Sequence, residues 1–114
     1  MCLLFNSVNM EPAYIAAKDT FIQRCRALLP PPSVFDGEDD GVSFQWHDAR
    51  GLVILRLYPA DEEEPLHAIV LHDVTHNEYV EKECNTAELL GLFSSFVVPW
   101  LAQRKIFAQP VMSL

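Results

Sequence analysis

The side chains that could do chemistry in this sequence are its carboxylates, four histidines and three cysteines. Two acidic runs stand out: Asp36, Glu38, Asp39 and Asp40, then Asp61, Glu62, Glu63 and Glu64. Asp36, Glu38, Asp40 and Gly41 hold the first, third, fifth and sixth places of a calcium loop. The twelfth place needs a bidentate carboxylate and holds His47, so no calcium site is expected. His47, His67, His72 and His76 invite a metal reading. However, His67 and His72 have opposite parity on one predicted strand and point to opposite faces. The spacing of His72 and His76 pairs two ligands only on a helix, and their surroundings predict strand and turn. No metal or other cofactor is expected.

Nucleophile chemistry is also poorly supported. Cys2, Cys25 and Cys84 are odd in number and lack CxxC spacing, which predicts reduced thiols in a cytoplasmic protein. Cys84 follows Glu81, Lys82 and Glu83, and carboxylates nearby make a thiol a poor nucleophile. Ser94 and Ser95 lie in an apolar helix without a GxSxG elbow. Neither GxGxxG nor GxxxxGK[ST] occurs. The expectation is a protein that is not an enzyme.

The elements that must carry these residues follow from hydrophobic period. Pro12 opens a helix over 12–29, with Ile15, Phe21, Ile22, Cys25, Leu28 and Leu29 at helical spacing. Pro30–Pro32 ends it as a stiff linker. Val42, Phe44 and Trp46 alternate with Ser43, Gln45 and His47 as a half-buried strand. A tight turn at 48–51 leads into strand 52–58, with Val53, Leu55 and Leu57 inward. Strand 66–72 follows, and a fourth strand spans about 76–82. Thr86 caps the last helix, which Pro99 must kink or end near Val98. The predicted fold is α+β: an N-terminal helix, an antiparallel meander of three to four strands, and a C-terminal helix, with both helices on one face. The chain is expected to be a single domain over 1–114, with 1–10 a loose arm and 106–114 a tail that is loose or docked through Ile106 and Phe107. The apolar stretch at Met1–Phe5 is too short for a signal peptide, and no run is long enough to span a membrane.

The charge is uneven. Eight Lys and Arg face sixteen Asp and Glu, for a net charge of −8. Residues 36–88 hold fourteen of those carboxylates but only Arg50, Arg56 and Lys82, a net charge of −11. Such a field argues against direct nucleic-acid binding and favours a basic protein partner. The hairpin turn at 48–51 puts residues 42 and 58 at one end of the meander, so the two acidic runs should meet at one edge. The last helix is apolar almost all round. Leu89, Leu92, Phe93, Phe96 and Trp100 form an arc too wide for one sheet to cover, which predicts a homodimer.

A prolyl linker, an acidic turn, GVSFQW (41–46), a tight turn and LVILRLY (52–58) together resemble small acidic bacterial proteins with a helix–meander–helix layout. Some of these look like antitoxins or immunity proteins. Phage-borne inhibitors, including anti-CRISPR proteins, and type III secretion chaperones are similar in size and acidity. The resemblance implies a non-enzymatic inhibitor that occludes a basic, nucleic-acid-binding type of surface on a partner. Two other functions are carried beside it: a dimeric chaperone gripping an apolar segment, and a small metal-dependent enzyme using the histidines.

Overall fold

The computed structural model describes residues 12–108. Helix α1 spans Pro12–Arg26. Proline in its first turn lacks an N–H that the turn would leave unbonded, and Arg24 and Arg26 sit at the negative end of its dipole. Tyr14, Phe21 and Cys25 fall on one face and are buried. The helix stops three residues short of the expected end. Pro30 disfavours helical backbone at Leu29, and Leu28–Leu29 (β1) instead pair antiparallel with Phe107–Ala108 (β7).

A five-stranded antiparallel meander follows: β2 Ser33–Asp36, β3 Val42–Asp48, β4 Gly51–Tyr58, β5 His67–Asp73 and β6 Glu78–Cys84, adjacent in that order. β2 is a strand beyond the three to four expected, built from the residues after the prolyl linker. Among the described residues it lies at the edge and pairs only with β3. An edge strand needs donors on one side only, which suits a segment entering from prolines.

Register sorts the two faces. Phe44, Leu55 and Leu71 stand in one cross-strand row, with Trp46 and Val53 in the next and Val42, Leu57 and Ile69 on the other side. All are buried. Phe21 and Cys25 of α1 and Leu89, Phe93, Val97 and Leu101 of the C-terminal segment complete this core. Both helical segments therefore cover the same face of the sheet. Trp46 also donates its indole N–H to the Pro30 carbonyl at 2.8 Å, tying the prolyl linker to β3.

The C-terminal segment winds continuously through a 3₁₀ turn (Thr86–Glu88), α2 (Leu89–Leu92), a π turn (Phe93–Val97) and α3 (Val98–Ala102). Its cap is Asn85 and not Thr86. The Asn85 side chain accepts the Glu88 N–H while the Glu88 carboxylate accepts the Asn85 N–H, a capping box. The Thr86 hydroxyl is engaged by His67 instead. Pro99 neither ends nor breaks the segment. It cannot bond back to Ser95, and the helix widens so that the Val98 N–H reaches Phe93 O.

The hairpin between β3 and β4 depends on Gly51, whose φ is +137°. A Cβ there would stand 2.1 Å from the Thr75 Oγ1, the atom that accepts the Leu52 N–H. Gly51→Ala should destabilise the fold by about 2–3 kcal/mol, through backbone strain and loss of this contact. Urea unfolding measures it, and an unchanged midpoint would refute the steric argument.

Candidate functional site

At the end of the sheet where β3 begins and β4 finishes lies a groove of about 1070 Å³. One wall is the β2–β3 connection, a 3₁₀ turn at Glu38–Asp40 in which Asp39 and Asp40 take positive φ. Short polar side chains tolerate that backbone. The turn packs tightly on β4: a Cβ at Gly41 would lie 3.1 Å from Leu57 O and 3.8 Å from Pro59 Cδ. Helix α1 holds the turn from behind. The Tyr14 hydroxyl and Lys18 Nζ donate to the Asp40 carbonyl at 3.1 and 3.2 Å, and Lys18 lies 4.0 Å from its carboxylate. Burial, with the Asp40 charge adding to it, pushes the Tyr14 hydroxyl well above its ordinary pKa.

The facing wall is the 59–66 loop. Asp61 Oδ1 accepts the N–H groups of Glu63 and Glu64 at 2.9 and 2.6 Å, and Asp61 N–H bonds to Glu64 O. The run is thus a compact turn that projects its glutamates outward. His67 anchors its base. The Ala60 N–H donates to His67 Nδ1 at 2.7 Å, which fixes the neutral ring with the proton on Nε2, 2.7 Å from Thr86 Oγ1. The ring stacks on Tyr14. This buried histidine is an internal clamp.

Glu38, Asp39 and the 61–64 run all line the groove, whereas Asp36 and Asp40 do not. The floor reaches onto the outer face of the sheet and adds Glu81 and Glu83 of β6. Sequence reading missed those two. Their alternation with Val80 and Lys82 was visible, but which parity faced outward depended on the register with β5. Among the described residues, eight carboxylates therefore line the groove with one cation, Arg56. Tyr58 and Tyr79 are 48% and 62% exposed on the same face. Tyr79 donates to Glu81 at 3.3 Å, and its hydroxyl pKa is raised by partial desolvation and then by the Glu81 charge.

The proposed dimer residues divide. Leu89 and Phe93 are buried in the chain's own core, while Leu92, Phe96 and Trp100 are half-buried. Lys82 Nζ lies over the Phe96 ring and the Arg104 guanidinium stacks on Trp100 at 3.6 Å, so part of the arc is covered from within.

The opposite end of the sheet carries a second charged constellation. Asp73 is 2% exposed. Arg104 Nε donates to the Asp73 Oδ2 at 2.9 Å, His76 Nδ1 lies 3.0 Å from the same oxygen, and the His76 N–H donates to Oδ1 at 3.0 Å. Burial by itself would raise this carboxyl, but these hydrogen bonds outweigh it and hold Asp73 below the usual carboxylate range. Arg104 also pairs with Glu78 and donates to Trp100 O. The cluster borders a groove of about 590 Å³, and its charges are spent on one another.

Among the described residues, no three His, Cys, Asp or Glu side chains cluster as a metal site would need. Cys25 and Cys84 are buried free thiols, both raised in pKa by desolvation. Cys2 and the 1–10 arm lie outside the described residues, as does most of the 106–114 tail. Of that tail, Ile106 is buried and Phe107 is 49% exposed. No helix among the described residues is long and apolar enough to cross a membrane. No protein-family model matches this sequence, and no curated protein or solved structure compared with it is similar to it.

Proposed function

We propose that this chain is a non-enzymatic binding protein whose acidic groove occludes a basic surface of a partner protein. The mode of action is that of antitoxins, immunity proteins and phage-borne inhibitors. The observation that carries the reading is the convergence of carboxylates from three separate segments on one groove that, among the described residues, contains one cation. Like charges gathered this closely repel and weaken the fold, so the arrangement has a cost that a cationic partner relieves. A field of this kind speeds the encounter with such a partner and depends strongly on salt.

Replacing Glu62, Glu63 and Glu64 by Lys tests it, because these exposed turn residues carry little of the fold. Binding of a fluorescent nine-residue oligolysine should weaken at least about tenfold in this variant. The wild-type affinity should fall comparably between ~50 and ~500 mM salt, as the Debye length shrinks to several ångströms or less. Affinity indifferent to both changes would overturn the reading.

A further inference from the structure

Neither helical segment covers the outer face of the sheet, where Ile54 and Val70 are nevertheless buried, and the cross-strand rows of this face run into the acidic groove. One row reads Arg56–Val70–Glu81: a cation on β4, an apolar residue on β5 and a carboxylate on β6. The next reads Tyr58–Ala68–Glu83, with the same anion in the same place, an aromatic ring instead of the guanidinium, and the smallest side chain between them. Strands in a sheet lie about 4.8 Å apart, so β4 and β6 stand nearly 10 Å apart with only a methyl group filling the gap. All three residues of this row line the groove. Tyr58 is 48% exposed, and among the described residues no cation pairs with Glu83.

We propose that the notch over Ala68, between the Tyr58 ring and the Glu83 carboxylate, seats an arginine side chain of the basic partner. This rests on the acidic-groove reading above and adds which cation the groove selects. Charge complementarity requires a cation. The flat ring selects a guanidinium over an ammonium, because the planar group stacks on the ring while its N–H fork meets the carboxylate. The chain uses the same chemistry internally, where Arg104 lies on the Trp100 ring and bonds Asp73 and Glu78. Arg56, one row away, is the local competitor for Glu81 and repels an incoming cation.

Fluorescence anisotropy with nona-arginine and nona-lysine separates the two claims. The wild-type chain should bind nona-arginine about tenfold more tightly than nona-lysine at equal salt. Tyr58→Ala removes the ring and Ala68→Leu fills the notch; each should cut that preference to about threefold or less with nona-lysine affinity unchanged. Glu83→Gln should weaken both peptides, nona-arginine the more. Tyr58→Ala changes an exposed side chain, so the test holds even if Ala68→Leu perturbs the strand. Equal binding of the two peptides, or a preference untouched by Tyr58→Ala, overturns the arginine notch and leaves the acidic groove standing. Failure of both peptides to bind at ~50 mM salt overturns the acidic groove and the notch with it.

Discussion

Phe21→Ala should destabilise the protein by about 3–5 kcal/mol, the range for emptying a buried aromatic site. Phe21 is wholly buried, and its ring meets Phe44 of β3 at 5.9 Å and Phe93 of the C-terminal segment edge-on at 5.3 Å. It is the point where α1, the sheet and the last helical segment touch. A cavity there cannot close without moving one of the three. Domains of this size are stable by about 5–15 kcal/mol in total, so the loss takes a large share. Phe35→Ala is the control. Phe35 is 48% exposed on the outer face, and its truncation should cost under about 1 kcal/mol. Urea unfolding with an unchanged slope measures both. Equal costs would mean that the assignment of faces is wrong.

Arg104→Ala should cost about 3 kcal/mol or more, because it strips the main counter-charge from a buried carboxylate. The guanidinium bonds Asp73 and Glu78 and stacks on Trp100, so it pins the end of the last helical segment to β5 and β6. The pH dependence has a definite sign. The Asp73 carboxyl is held below its ordinary range in the folded state. Its contribution is therefore complete above about pH 4, where the unfolded carboxyl is ionised, and is lost as pH falls through the folded value. Wild-type stability should drop on acidification below about pH 4, and Asp73→Asn should flatten that drop. An Arg104→Ala midpoint equal to wild type would show that Asp73 is satisfied by His76 and solvent alone.

Local pattern was enough for the elements that local physics governs. The period-two runs at 42–46 and 53–57 named the inward residues, because parity along a strand is geometric. The pair Asp48 and Gly51 closed the hairpin, since turn chemistry is a property of a few adjacent residues. The meander order that follows from short connections put the 36–40 and 61–64 carboxylates at one end of the sheet.

Tertiary structure decided the rest. β2 has four residues and no stability of its own, so nothing in 33–36 distinguished it from linker until β3 offered an edge. Asn85 and Thr86 are both good caps, and the choice fell to Asn85 while the Thr86 hydroxyl bonds His67, 19 residues earlier. The Asp73–Arg104 pair joins residues 31 apart, a separation over which composition carries no information. The order of elements, the inward face of β3 and β4 and the acidity of the loops were legible along the chain, because they depend on near neighbours in it. Packing decided that β6 would add Glu81 and Glu83 to the groove, that Leu89 would be spent in the core as Phe93 is, and that Tyr58 and Glu83 would share a row across Ala68. The first and last of these rest on strand register, which the hydrophobic pattern and the turns between strands fix together.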